Sequence, residues 1–416
     1  MTTIKDSVHD HIEVEGVAAA LLDTPLVQRL RRVSQLGTAS LVYPSANHTR
    51  FEHSLGVYEL ATRALDHLGI RGRDARAVRA AALLHDVGHG PFSHALEDLL
   101  DRRTGRSHDD VGELLTADAV TDVFDAHDVD RNRVAGLIAG ENRLGQLVAG
   151  ELDVDRMDYL VRDAHHTGVP YGTIDFERLL RALSFVEGDL VLSEGNVQTA
   201  ESLLMARALM NPTVYNHHVA RISKTMLQRA TFHLLESSDV SAQDVFRMDD
   251  PALQAALRGD ELAAPLANRL ADRRLYKRAI WAEYGDVGED LAEDLIEATP
   301  DAIRETEASI AERADVTRDQ VLLDVQGPPS MRESTTRVVV NGEIRQLTEQ
   351  STLVRALEQA QREQWRLGVY APRELTETVG QAAEAVLGID TDGARIAEVD
   401  SPGRYTSLSD FGGGSA

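Results

Sequence analysis

Within residues 81–100, AALLHDVGHGPFSHALEDLL, an apolar helical pattern runs straight into an adjacent His85 and Asp86, followed by Gly88, His89, Gly90 and Pro91. Glycine and proline at that point stop the helix and mark backbone that comes close to a ligand. His85 and His89 are four residues apart and can face the same way. His94 follows at the start of another helix, with Glu97 one turn on. Two further segments supply complementary groups: Asn47-His48-Thr49-Arg50-Phe51-Glu52-His53 opens one helical stretch and Glu151 to Tyr159, ELDVDRMDY, opens another. On the latter, Asp155, Tyr159 and Asp163 fall at i, i+4 and i+8 and Arg156 lies on the edge of that face. Charges on one helical face are costly to bury without partners, so this face reads as a site.

Taken singly, each of these residues has an ordinary explanation, a helix cap or a solvated side chain, and Asp153, Asp155 and Asp158 complement a helix N-terminus. The order of the set carries more: a His on one helix, a His-Asp pair at a helix end, and a later Asp on a third helix. Imidazole and carboxylate suit Mn, Fe, Mg with extra waters, or Zn. Four such ligands on an octahedral ion leave positions for water and a phosphate oxygen.

The elements that must position these groups are helices. Apolar residues recur at three- and four-residue spacing over 24–35, 52–69, 75–87, 109–125, 151–164, 176–186 and 197–237. FVEGDLVLS at 185–193 predicts a β-hairpin turning at Gly188-Asp189. The pattern over 241–318, including DELAAPLANRLADRRLYKRAIW, stays helical. QVLLDV at 320–325 and TRVVV at 336–340 read as strands, the second followed by an NGE turn, and helices resume over 350–366 and 373–387. The expected fold class is mostly α, a helical domain over 1–240 with a helical extension over 241–318 and a small α+β region over 319–388. The stretch 389–416, ending in DFGGGSA, is expected to be a loose tail.

Composition narrows the function classes. With 416 residues the chain exceeds what one core usually supports. With no cysteine, any metal must be held by His, Asp or Glu. The 68 Asp plus Glu against 43 Lys plus Arg give a net charge of −25, and Lys5, Lys224 and Lys277 are the lysines. That balance resembles proteins of salt-loving organisms. Spread along the whole chain, it argues against non-specific nucleic-acid binding, which relies on clustered cations. A polar, acidic start and the lack of a long apolar run predict a cytoplasmic protein without a membrane span.

NHTRFEHSLGVYEL, LLHDVGHGPFSH, DVDRMDYLVRDAHHTG and VYNHHVAR resemble stretches of the HD superfamily, most closely its deoxynucleoside triphosphate triphosphohydrolases, including dGTPase-type enzymes and those with a sterile-alpha-motif domain. The likeness is strong over about 1–240 and weaker beyond. It implies an HD-domain helical fold with His53, His85, Asp86 and Asp155 as ligands of a divalent metal, and release of a deoxynucleoside and intact triphosphate. It further implies His94 as general acid to the leaving 5′-oxygen with Glu97 orienting its ring, His108 in the same group, and His89 on phosphate. Arg50 and Arg156 would hold phosphate oxygens, Tyr159 would pack beneath the sugar, Gln35 and Asp163 would bond the 3′-hydroxyl, and Tyr215 would lie beside it. Two positions depart from the pattern: the mammalian relative carries Asp at the Glu97 position, and the family often has Lys at that of Arg156. Asp23, Gln28 and Arg31 match residues that read a GTP or dGTP activator between subunits, which implies a homo-oligomer such as a tetramer. The rival readings are an HD phosphohydrolase acting on nucleoside monophosphates or cyclic nucleotides, and a nucleotide sensor without turnover.

Overall fold

The computed structural model describes residues 2–327 and 335–390. The expected 389–416 tail lies outside the described residues from 391 onward. The described residues divide into two compact units, one of residues 2–275 with 335–364 and the other of residues 276–327 with 365–390. The mostly-α expectation holds, with three small sheets among the described residues.

In the first unit, the helix Arg50–His67 begins where the Glu52 carboxylate turns back to accept from the Thr49 backbone N–H at 2.7 Å. This reciprocal arrangement satisfies a donor that the first helical turn leaves unpaired. Its apolar side, including Leu55, Tyr58, Leu60 and Leu65, is buried against Val78, Ala81 and Leu84 of the helix Gly72–Leu84. The helix Val154–Thr167 starts at Asp153, whose side chain accepts from Arg156 N at 2.8 Å, and buries Met157 and Leu160 in the same core. Three helix ends thus meet at one corner.

Several boundaries differ from the sequence reading, each for a physical reason. An antiparallel hairpin, Thr2–Asp6 with Asp10–Val14, precedes the first helix and was not anticipated, because its outward residues are polar and its apolar run is short. The stretch 109–125 makes a short 3-10 turn at Leu114–Thr116 and becomes α-helical only at Asp118–Ala126. The hairpin Leu183–Val186 with Asp189–Leu192 turns at Glu187-Gly188, where both residues have positive φ, one residue before the expected turn. Pro212 interrupts the expected 197–237 helix: Val197–Met210 gives way to a wide π-type turn, Asn211–Tyr215, and helix resumes over His218–Ser237.

The larger corrections concern pairing. Residues 241–318 are not all helical, since Lys277–Glu283 is a strand. It pairs antiparallel with Arg366–Ala371, which pairs on its other edge with Leu322–Val325. Nor do residues 319–388 form one region. Arg337–Val340 pairs parallel with the hairpin strand Asp189–Leu192 and antiparallel with Glu343–Gln346, within the first unit, while Arg366–Ala371 lies in the second. The boundaries expected at 240 and 318 therefore do not follow the compact units. Periodicity reports the face a segment buries, not a strand partner tens of residues away.

Candidate metal centre and active site

His53 sits in the first turn of Arg50–His67, His85 caps the C-terminus of Gly72–Leu84, Asp86 follows it, and Asp155 lies in the first turn of Val154–Thr167. Their donor atoms converge. His53 Nε2 is 2.8 Å from Asp155 Oδ1, 3.3 Å from His85 Nε2 and 3.8 Å from Asp86 Oδ2. His85 Nε2 is 3.4 Å from Asp86 Oδ1 and 3.8 Å from Asp155 Oδ1. Three of the four residues are buried, and only Asp155 keeps a side of its carboxylate toward solvent.

What lies behind these groups decides how they are presented. His53 Nδ1 donates to Asp158 Oδ2 at 2.8 Å, and His85 Nδ1 donates to the Ala82 carbonyl at 2.9 Å. With each Nδ1 committed, each Nε2 is turned into the corner, the tautomer a metal ion requires. Asp158 is itself held by Arg162 Nε at 2.8 Å and by His9 Nε2 at 2.6 Å, and Arg162 continues to Asp6 at 2.9 Å. Burial alone pushes the His53 imidazole down, yet its bonds to Asp155 and Asp158 and the nearby Asp86 outweigh this and raise its pKa to about 10. The corner therefore favours positive charge, and two imidazole nitrogens with two carboxylates fit a divalent metal. His9, Asp6, Asp158 and Arg162 had not been picked out as site residues. The spacing of Asp155 and Asp158, three apart on one helix, was the available signal, since it places the second carboxylate one turn behind the first.

A second cluster abuts the first. His89 Nε2 lies 3.3 Å from Asp86 Oδ1. The His89 ring stacks on His108 with centroids 4.1 Å apart and meets His94 edge-on at 4.7 Å. Glu97 joins the other two histidines, accepting from His94 Nδ1 at 2.6 Å and from His108 Nδ1. Although burial pushes it up, hydrogen bonds from His108 and His94 hold the Glu97 carboxyl well below the usual range. Burial also pulls the His108 imidazole down, but Glu97 overrides this and raises it. His89, by contrast, is kept neutral by burial and the neighbouring Arg50. The His94 side chain is 59% exposed, so its ring is open to a ligand. His89, His94, Glu97 and His108 could themselves gather around a metal ion.

Arg50 is turned onto Asp86, its Nη1 2.9 Å from both carboxylate oxygens, with Nε on Ser93 Oγ at 2.8 Å. Only its Nη2 is buried without a partner among the described residues. Arg156 is held by Asp153 and by the Gly150 carbonyl. Asp163 accepts from Tyr215 Oη at 3.0 Å and pairs with His48 Nε2 at 2.8 Å, and the Tyr159 and Tyr215 rings meet edge-on at 6.2 Å. Gln35 N–H donates to the His48 carbonyl at 3.1 Å, while Gln35 Oε1 and His48 Nδ1 are buried without partners among the described residues. His48 is a further residue whose place in the site was not anticipated. Gln28 and Arg31 are bonded to one another at 2.9 Å, the Arg31 guanidinium lies 3.6 Å over the Phe51 ring, and Asp23 is exposed at the end of the preceding helix.

The HD domain family matches residues 50–163 and the HD associated region matches residues 174–398. An uncharacterized protein of Methanocaldococcus jannaschii is 34% identical over 90% of this chain and 80% of its own length. The chain belongs to the HD-domain phosphohydrolase family. The fold is accordingly an HD-domain helical fold; such domains bind divalent metals, and the His and Asp cluster of the corner could hold one. This HD-domain chain is also similar to the deoxynucleoside triphosphate triphosphohydrolase SAMHD1 homolog of Dictyostelium discoideum, 34% identical over 55% of this chain and 48% of the relative. It thus spans about half the length of that relative. A solved phosphohydrolase structure from Bacteroides thetaiotaomicron, 26% identical, superposes with a TM-score of 0.71 over 90% of this chain and all of the other. No helix among the described residues is long and apolar enough to cross a membrane.

Proposed function

We propose that this HD-domain protein hydrolyses deoxynucleoside triphosphates to a deoxynucleoside and triphosphate. The observation that carries the reading is the imidazole cluster of His89, His94 and His108 around Glu97, set 3.3 Å from the metal-corner residue Asp86. A metal corner alone suffices for many phosphate esters. Histidines beside it, one exposed and braced by a carboxylate, suit a poor alkoxide leaving group that needs a proton. The name of the Dictyostelium relative points the same way.

Bound by His53, His85, Asp86 and Asp155, a divalent ion would supply Lewis acidity to the α-phosphate and acidify water; Mn, Mg, Fe and Zn all suit these donors. His94, its Nδ1 fixed on Glu97, presents Nε2 to the departing 5′-oxygen and donates the proton. His89 and His108 offer N–H donors to phosphate oxygens, with Arg50 Nη2 and the Arg156 guanidinium adding charge-assisted contacts. Tyr159 and Tyr215 form the sugar wall, where a 2′-hydroxyl would collide. Gln35 Oε1 accepts from the 3′-hydroxyl while Asp163 anchors the same end. A buried acceptor without a partner is costly, and a ligand hydroxyl relieves it.

Asp23, Gln28 and Arg31 form the activator site in this reading, for GTP or dGTP bound between subunits of a homo-oligomer, most simply a tetramer in the cytoplasm. The acidic balance fits a protein that works in high salt.

The test is product analysis with purified, metal-loaded protein in high salt, offered each deoxynucleoside triphosphate with and without GTP. Deoxynucleoside with intact triphosphate is the expected result. Orthophosphate, or turnover confined to monophosphates or cyclic nucleotides, would replace the substrate class. Binding without any product would make the protein a sensor.

A further inference from the structure

Between the corner residue Asp86 and His94 runs a loop whose backbone is unusual. Phe92 and Ser93, neither of them glycine, both have positive φ, 58° and 52°. Side chains strain the chain in that region, and two successive cases persist only where surrounding contacts hold them. The contacts come from outside the metal corner. Asp250, at the start of the helix Asp250–Gly259, is only 6% exposed and accepts from the Phe92 backbone N–H at 2.6 Å and from the Ser34 backbone N–H at 3.0 Å. Ser93 Oγ donates to the Ser34 carbonyl at 2.6 Å and accepts from Arg50 Nε at 2.8 Å. Arg29 holds the earlier part of the loop, donating to the Val87 and His89 carbonyls at 2.9 and 2.6 Å while it grips the Met248 carbonyl at 2.8 Å.

The segment 248–250 is more than 150 residues away in sequence from the loop it supports, and nothing in the chemistry proposed for the site requires it. We infer that Asp250 is a positioning residue for the reaction: its carboxylate pins the left-handed Phe92 backbone and so sets where His94, two residues on, presents its ring. Only a carboxylate, with two acceptor oxygens and no hydrogen, receives both N–H groups; an amide would turn a donor toward one of them. The inference rests on the reading of His94 as proton donor.

The test is Asp250→Asn in the full metal-loaded protein, with four measurements: bound metal, hydrogen exchange at the Phe92 amide, turnover of a deoxynucleoside triphosphate, and turnover of bis(p-nitrophenyl) phosphate. The last has a leaving group that needs no proton. Faster exchange at Phe92 is expected, with unchanged metal content and kcat for the deoxynucleotide lower by on the order of 10²-fold at little-changed KM. Hydrolysis of the aryl ester should hold. Equal losses on both substrates, or an unchanged Phe92 amide, would overturn the inference. Phe92→Gly, which takes the same backbone angles without strain, slackens the loop with Asp250 intact and serves if Asp250→Asn does not fold; it should show the same split between substrates. Wild-type protein that cleaves the aryl ester but no deoxynucleotide would refute the proposed substrate instead, and exchange at Phe92 would still decide whether Asp250 holds the loop.

Discussion

Asp86 and Asp155 reach the same corner but stand in different surroundings, and their substitutions should separate. Asp155 is the more exposed and touches chiefly His53, so Asp155→Ala is expected to lose bound metal and turnover with little change in melting. Asp86 also neutralises the buried Arg50 guanidinium. Asp86→Ala should therefore lose metal and turnover and in addition cost about 3–5 kcal/mol of stability by stranding that charge, which metal analysis and denaturant titration of both variants would check. Behind the corner, Asp158→Asn is expected to weaken metal affinity about 10–100-fold, read by competition with a chelator. The Glu97 and His108 pair carries a pH signature. Glu97 has a depressed folded pKa, so its contribution to stability is present above its ordinary value of 4.5 and is lost as pH falls through the folded value. His108 has a raised one, so its contribution is present below 6.5 and is lost as pH rises through the folded value. Glu97→Gln should accordingly flatten the melting temperature against pH on both sides. The quoted histidines and aspartates were legible because their spacing survives translation into helix ends. His9, Asp6 and His48 were not, because a hydrogen bond across more than a hundred residues leaves no local pattern.

At the level of elements, close approach sets the site. A Cβ on Gly56 would overlap Asp158 Oδ1 and Arg162 Nη2, so the helices Arg50–His67 and Val154–Thr167 meet where no side chain intervenes. Those two groups are fixed in the buried network behind His53 and have no room to swing away. Gly56→Ala is expected to cost about 1–3 kcal/mol and to lower bound metal, whereas a change at an exposed position of the same helix, such as Asp66→Asn, would leave metal content alone. Equal metal content in Gly56→Ala and wild type would show that the helix contact does not position His53. Gly88 has the same part for the segment carrying His108, whose carbonyl lies where a Cβ would be. Helices of the first 240 residues were readable because each buries an apolar stripe against neighbours, which is a property of the segment itself. The strand Lys277–Glu283 lacks a strand signal because RAIWAE has no polar alternation, with the successive Ala279 and Ile280 both buried, and its partner Arg366–Ala371 lies about ninety residues on.

For the molecule as a whole, a net charge of −25 means that like charges repel across the surface of the folded state. Added salt screens this, with a Debye length of about 3 Å at 1 M, so melting temperature is expected to rise as KCl increases from ~0.1 M to ~2 M. A flat or falling response would mean that the acidic surface is already compensated by local pairing. Composition showed the charge, and it showed that any metal must sit on His and carboxylates. It gave no access to the division into units, which depends on which strands pair. In the proposed reaction the corner of His53, His85, Asp86 and Asp155 directs water onto the α-phosphorus of a deoxynucleoside triphosphate while His94 protonates the departing sugar oxygen. Its most direct test is phosphorus NMR of the products after turnover of dGTP by metal-loaded protein in ¹⁸O-labelled water. The predicted result is unlabelled deoxyguanosine and triphosphate carrying the label on one terminal phosphorus, with no reaction after chelation. Labelled orthophosphate, label in the sugar, or turnover that survives removal of the metal would contradict it.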